Sequence, residues 1–208
     1  MATFQALPPA DECIAADSGV DHARLLGVMP TRVVGDFDSA SADAVAWAEN
    51  GGATIERHPR RKDQTDLELA MERAHERCMG SEGHIIVVGV DGSRPDHVWA
   101  NISLLGAARY RSTNVEAVVG DTSVRFVHGE GQVEIPGQQG ATVSLLPLHG
   151  DAQGVRTRGL DFPLDGETLL AGSPRGVSNT IAESPFSVHV ALGTLAVFRV
   201  EHYRGNHQ

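Results

Sequence analysis

Cysteine is scarce in this 208-residue chain: Cys13 and Cys78 are the two it has, and they form no CxxC pair. That argues against a disulfide framework or a thiolate zinc site and suits a reducing cytoplasm. The ten histidines are scattered and none belongs to an HExxH motif. No apolar run approaches the ~18–20 residues of a membrane span. The opening Met1-Ala2-Thr3-Phe4-Gln5 lacks a basic region followed by an apolar core, so neither a signal peptide nor a membrane partner is expected. Basic residues are outnumbered, 17 against 27 acidic, for a net charge of -10. Such a balance argues against a nucleic-acid backbone as main partner. It leaves ATP open, because magnesium supplies positive charge between carboxylates and phosphates.

What is present is ordinary for a globular protein: 41% hydrophobic and 21% charged residues. Disorder, collagen and coiled coil are therefore not expected. At roughly 150 residues per domain the length allows one large domain or two small ones. The chain carries no internal repeat, low-complexity tract or long linker.

Its first part alternates strand-like and helix-like segments. Strands are expected at Cys13 to Ala16, Thr31 to Val34, Thr54-Ile55 and Ile85 to Val88. Helices are expected at Val20 to Leu26, Ala42 to Glu49 (capped by Ser41), Asp66 to Met79 and a stripe of Val98, Ile102 and Leu105. Thr65 and Glu68 have capping-box spacing, and Leu67, Met71, Ala74 and Cys78 should face a core. Such alternation implies parallel βαβ units. After about Thr122 the character changes. Val124 to His128, Gln132 to Ile135, Thr142 to Leu146, Val155 to Thr157, Ser187 to Ala191 and Thr194 to Val200 read as strands with glycine-bearing turns and no long helix between them. This predicts an antiparallel β-sandwich. The boundary is placed between residues 122 and 123.

Three acidic loops lie at strand ends or helix starts, where ligands of open α/β sheets gather. They carry Asp17, then Asp36 and Asp38, then Lys62-Asp63-Gln64-Thr65-Asp66. Magnesium prefers oxygen ligands and is held by carboxylates plus substrate phosphates, so Asp36, Asp38 and Asp66 form a candidate metal triad if the fold unites them. Taken singly, an Asp-x-Asp is more often a turn or a cap, Asp66 suits a helix dipole, and Asp17 suits a turn. Arg94 and Asp96 follow the Ile85 strand in a loop with Gly89, Gly92 and Pro95 that could approach phosphates; Asp96 also suits a cap. Arg60, Arg61 and Lys62 are either phosphate ligands or a solvated basic run. Phe162, Ser178 and Asn179 are undecided on local grounds, as core or loop residues.

The ordered set decides more than its members. Ala15-Ala16-Asp17-Ser18-Gly19-Val20-Asp21, Gly35-Asp36-Phe37-Asp38-Ser39, Lys62-Asp63-Gln64-Thr65-Asp66, Asp91-Gly92-Ser93-Arg94-Pro95-Asp96-His97 and Ser178-Asn179 together resemble the thiamine pyrophosphokinase (thiamine diphosphokinase) family, from about Cys13 to Val200. That resemblance implies an α/β nucleotide-binding catalytic domain of Rossmann type over 1–122 and a thiamine-binding β-sandwich over 123–208, in a homodimer that shares its site. It implies transfer of the diphosphoryl group of ATP to the thiamine hydroxyl, giving thiamine diphosphate and AMP.

The resemblance also assigns residues. Asp36, Asp38 and Asp66 would bind Mg2+ and the diphosphate. Asp17, Lys62, Asp63 and Arg94 would lie at the nucleotide, with Asp96 beside them at the cleft. Ser178 and Asn179 would contact thiamine, and Phe162 would pack on it across the dimer interface. Asp96 or Asp66 would accept the hydroxyl proton. Two other readings stand beside it: a nucleotide- or thiamine-binding module without turnover, and a diphosphokinase for a hydroxymethylpterin. The chain departs from the family where Asp-Gly-Gly is Asp17-Ser18-Gly19 and Gly-Gly-Arg is Gly92-Ser93-Arg94; a positive φ at either serine would be strained. Members usually begin with a further strand and glycine loop, whereas about a dozen residues precede Cys13 here, so the chain either starts late or lacks that strand.

Overall fold

The computed structural model describes residues 7–81, 83–91 and 94–200. The chain divides into two compact units, one through Ser81 and one from residue 82. The first is a parallel three-stranded sheet in the order β1-β2-β3, with β1 at Ile14–Ala16, β2 at Arg32–Gly35 and β3 at Thr54–Arg57. Helices α1 (Gly19–Leu26) and α2 (Ala42–Asn50) make the two crossovers, and α3 (Asp66–Cys78) packs against β1 and β2. Two consecutive βαβ units force the strands parallel, so their carboxyl ends share one edge. Ala15, Val20, Val33, Ala44, Ala48 and Ala53 form the core between sheet and helices.

The helix boundaries follow local chemistry. Ser41 Oγ accepts the Ala44 amide at 3.2 Å to start α2, and Thr65 Oγ1 accepts the Glu68 amide at 3.2 Å to start α3. On α3, Met71 is buried as expected. Leu67, Ala74 and Cys78 are half-buried, and Leu69 and Ala70 sit deeper than they do.

The second unit opens with β4 (His84–Val87), α4 (Pro95–Leu105) and β5 (Asn114–Val119), a parallel pair joined by a helix. From β6 (Thr122–His128) every pairing is antiparallel, through β7 (Gly131–Ile135), β8 (Thr142–Arg158), β9 (Asp165–Leu169), β10 (Asn179–Thr180), β11 (Phe186–Val190) and β12 (Leu192–Val200). All nine strands belong to one sheet. The two separate strands expected at Thr142 to Leu146 and Val155 to Thr157 are the two arms of β8. Backbone φ values of 63° at His149 and 140° at Gly150 bend it midway. Its first arm pairs with β12 and its second with β11 and β9, so the sheet curls over itself. Leu145, Val155, Phe186, Val188, Leu195 and Val197 fill the curl. On β11, Phe186, Val188 and Val190 alternate inward with half-buried Ser187 and His189, the period of two that a one-sided core demands. The expected parallel α/β part and antiparallel β part are thus both present, and one curled sheet does the work of two stacked ones.

Candidate active site

In the first unit, three carboxylates meet at the ends of β1 and β2. The parallel register sets Ala16 beside Val34, and the Asp17 amide donates to the Val34 carbonyl at 2.9 Å. Asp17 therefore emerges against the backbone of Gly35. A Cβ on Gly35 would lie 3.3 Å from Asp17 Cα, Cβ and N, and its φ is 155°, so the position suits glycine. Asp17 and Phe37 hold left-handed backbones, φ 45° and 61°. Such values are uncommon outside glycine and cluster at functional sites. Ser18, where strain was in question, is right-handed at φ -58°; the positive φ falls on Asp17 instead.

One ligand-capable oxygen from each of Asp17, Asp36 and Asp38 lies within 4.8 Å of the others. The Asp38 amide donates to Asp36 Oδ1 at 3.0 Å, and the Ser39 hydroxyl donates to Asp17 Oδ2. Asp17 Oδ1 is buried and has no hydrogen-bond partner among the described residues. Leaving a buried carboxylate oxygen unmatched is costly unless something positive meets it. Three hard oxygen donors, on carboxylates of which Asp17 also has a buried oxygen without a partner, fit a divalent cation of the magnesium type.

Cations from the segment after β3 flank the cluster. Arg60 Nη2 lies 2.6 Å from Asp38 Oδ2. Lys62 Nζ, with its side chain 14% exposed, lies 3.3 Å from Asp36 Oδ2 and 3.0 Å from Asp66 Oδ1. Asp66 is thus joined to the cluster through Lys62, outside the group of three close oxygens, while Asp17 stands inside it. Partial burial pushes the Asp36 carboxyl up, but the Asp38 amide and the Lys62 ammonium outweigh it and hold the group below its usual range. Burial likewise works against the Lys62 charge, and the bonds to Asp66 and Asp36 overcome it and raise its pKa. Arg57 stacks on the Phe37 ring, 4.6 Å from guanidinium to centroid. Asp63 is exposed. Four acids (Asp17, Asp36, Asp38, Asp66) against three cations (Arg57, Arg60, Lys62) leave the region negative by one charge.

In the second unit, Arg94 precedes α4 and Pro95 occupies its first position. Asp96 is inside the first turn and Arg94 is the capping position, without a side-chain cap bond. Arg94 binds Asp96 through two nitrogens, Nη2 to Oδ2 at 2.5 Å and Nε to Oδ1 at 3.3 Å. The guanidinium holds the Asp96 carboxyl below its usual range. Gly92 and Ser93 lie outside the described residues.

Phe162, Ser178 and Asn179 line one pocket of about 340 Å3, together with Leu164, Glu167 and Arg175. This is within the size range of small-molecule sites. Phe162 is 70% exposed, an unusual state for an aromatic ring. Asn179 pins the loop that carries it: Oδ1 accepts the Phe162 amide at 3.1 Å and Nδ2 donates to the Phe162 carbonyl at 2.7 Å. Oδ1 also accepts the Thr180 amide at 2.8 Å, so most of this side chain's bonding capacity is spent on the backbone. Gly176 is forced, since a Cβ there would lie 2.1 Å from the Leu145 carbonyl oxygen. Ser39, Glu167 and Arg175 escaped the sequence reading. Ser39 closes the Gly-Asp-Phe-Asp-Ser segment, which is a usable signal; Glu167 and Arg175 belong to no motif.

Two family models match this chain. Residues 5–119 match "Thiamin pyrophosphokinase, catalytic domain", and residues 131–195 match "Thiamin pyrophosphokinase, vitamin B1 binding domain". A thiamine pyrophosphokinase of Bacillus subtilis (strain 168) is 27% identical over 187 residues, 89% of this chain and 86% of that protein. Thiamine pyrophosphokinase 1 of Oryza sativa subsp. japonica is 28% identical over 167 residues, 74% of this chain and 60% of that protein. Among solved structures, the Bacillus subtilis thiamine pyrophosphokinase superposes with TM-score 0.83 at 23% identity, covering 97% of this chain and 93% of that one. The thiamin pyrophosphokinase of Geobacillus thermodenitrificans gives TM-score 0.79 at 25% identity, covering 97% and 91%. Fold and matches together define an enzyme of the diphosphotransferase class. Since the catalytic model alone matches more than half of its length, the chain belongs to the thiamin pyrophosphokinase family.

Proposed function

We propose that this chain transfers the diphosphoryl group of ATP to the hydroxyl of thiamine, forming thiamine diphosphate and AMP. The observation that carries the reading is the orphaned Asp17 oxygen in a cluster with Asp36 and Asp38, at the carboxyl edge of a parallel sheet. In this reading Asp36, Asp38 and Asp17 hold Mg2+, with Asp66 adjoining through Lys62. The ion supplies charge neutralisation to the ATP phosphates and the departing AMP. Lys62 and Arg94 donate to phosphate oxygens, and Asp63 adjoins the nucleotide. Phe162, Ser178 and Asn179 hold thiamine, the first as a ring face for the cationic thiazolium and Asn179 chiefly by fixing the Phe162 loop.

The reaction forms a bond from the thiamine hydroxyl oxygen to the β-phosphorus. It breaks the bond from that phosphorus to the oxygen retained by AMP. The hydroxyl proton passes to Asp66 or Asp96. Of the two, Asp96 is paired with Arg94, which holds it to its charged form, and Asp66 is paired with Lys62. Catalysis is then mostly positioning and electrostatics.

The same reading makes the enzyme a cytoplasmic homodimer with a shared site. It assigns residues 1–122 to nucleotide binding and catalysis and 123–208 to thiamine. What supports the location is that both cysteines are free thiols.

The test is incubation with ATP, Mg2+ and thiamine. AMP and thiamine diphosphate should appear in equal amounts and only with both thiamine and the cation. Formation of ADP, or AMP with a hydroxymethylpterin and none with thiamine, overturns the assignment. Phe162→Ala should raise the KM for thiamine about tenfold, the scale of a cation–π contact with its buried ring area, and leave the KM for ATP unchanged.

A further inference from the structure

The pocket of the second unit contains one acidic and one basic side chain, Glu167 and Arg175, among its lining residues. They pair with each other: Arg175 Nη2 lies 3.1 Å from Glu167 Oε1. The other carboxylate oxygen, Oε2, accepts the Asp165 amide at 3.0 Å, which fixes the group to the backbone of β9. The two side chains are 59% and 38% exposed. An ion pair so open to solvent contributes little to folding. Its place is instead informative, because Glu167 lines the same pocket as the exposed Phe162 ring. A fixed carboxylate and an open aromatic face are the two groups that favour an organic cation.

We infer that Glu167 is the residue that reads the positive charge of the bound substrate, and that Arg175 is an internal competitor for the same carboxylate. The inference rests on the thiamine reading proposed above, since thiamine carries a thiazolium cation. A cation entering beside Phe162 gains the Glu167 charge in proportion as the guanidinium gives it up. Removal of either partner therefore shifts substrate binding in opposite directions. A merely structural pair would give the same sign for both.

The experiment compares wild type, Glu167→Gln and Arg175→Gln, with thiamine affinity read by calorimetry and by KM. Glutamine keeps an acceptor for the Asp165 amide, so the β9 connection survives. Glu167→Gln should weaken thiamine about tenfold and Arg175→Gln should tighten it about threefold, the range of a partly exposed charge contact, with the KM for ATP unmoved in both. A third arm uses an analogue whose thiazolium is replaced by a neutral thiophene ring. Wild type should prefer the cation, and Glu167→Gln should lose most of that preference. Unchanged thiamine affinity in Glu167→Gln, equal changes for thiamine and ATP, or weakening in both variants would overturn the inference. Failure of the parent reading looks different: wild type binds thiamine with the expected dependence on Glu167 yet releases no AMP. If wild type binds no thiamine at all, both fall.

Discussion

Two acidic regions stand close in sequence on the same small sheet, and they are built on opposite plans. Glu56, on β3, is surrounded by cations. Arg73 reaches it through Nη2 at 2.7 Å and Nε at 3.2 Å, His58 Nε2 at 2.9 Å and Arg32 Nη1 at 3.0 Å. Both of its oxygens are engaged. The hydrogen bonds from Arg73, opposed by burial and helped by His58 and Arg32, bring its pKa down to about 2. The cluster of Asp17, Asp36 and Asp38 gathers three carboxylates and leaves one buried oxygen unmatched. A saturated carboxylate ties elements together, here α3 to β2 and β3. An unsaturated cluster stores a demand for positive charge that the chain itself does not meet, and that demand is what a ligand answers.

The contrast is sharpest when each region loses charge. Asp38→Asn should lower turnover about a thousandfold, on the scale of removing a main electrostatic contributor to phosphoryl transfer. Its thermal midpoint should move by no more than a degree or two, since like charges are being separated. An unchanged rate at saturating Mg2+ would remove Asp38 from the machinery. Glu56→Gln should behave in reverse. A group with folded pKa about 2 against an ordinary 4.5 contributes about 3 kcal/mol at neutral pH. The midpoint should fall by several degrees while the rate at permissive temperature stays at the wild-type value. The pH dependence follows from the sign of the shift. Depressed in the fold, this carboxyl contributes its full stability above pH 4.5 and loses it as pH falls toward about 2. Wild type should therefore lose stability through that window by circular dichroism, and Glu56→Gln should be flatter across it.

The sequence discloses the first unit better than the second because its signals are local. Ser41 and Thr65 announce helix starts by their own side chains, and each caps as expected. Two strand ends and one helix start carrying aspartates predict a shared edge once the strands are parallel. What the chain does not announce is which acids touch. Asp66 is drawn to Lys62, while Asp17, a turn residue on local grounds, joins Asp36 and Asp38 because β1 and β2 are neighbours in register. In the second unit, β5, β9 and the two-residue β10 are strands that the sequence does not announce. Glu116 interrupts β5, where it pairs with Arg125 on the neighbouring strand. Asp165-Gly166-Glu167-Thr168 has little intrinsic strand character, and pairing with β8 imposes it. The bend in β8 joins two segments that look separate in the sequence. Glu167 reaches the pocket only through that induced strand, so no motif could point to it.

The smallest expected effect concerns how the unsaturated cluster is aimed. The Ser39 hydroxyl donates to one oxygen of Asp17 and so leaves the other as the orphan. If that bond sets the carboxylate's orientation, Ser39→Ala should raise the Mg2+ concentration needed for half-maximal rate about fivefold, the equivalent of one hydrogen bond of about 1 kcal/mol. The rate at saturating Mg2+ and the KM for thiamine should hold. Ser39→Thr restores the hydroxyl and should restore the Mg2+ requirement, which a packing role for the residue would not predict. A Ser39→Ala protein with unchanged Mg2+ dependence would mean that the turn geometry of Asp17, not its hydroxyl partner, fixes the orphaned oxygen; the strained φ at that residue would then be the device that separates this cluster from the saturated one at Glu56.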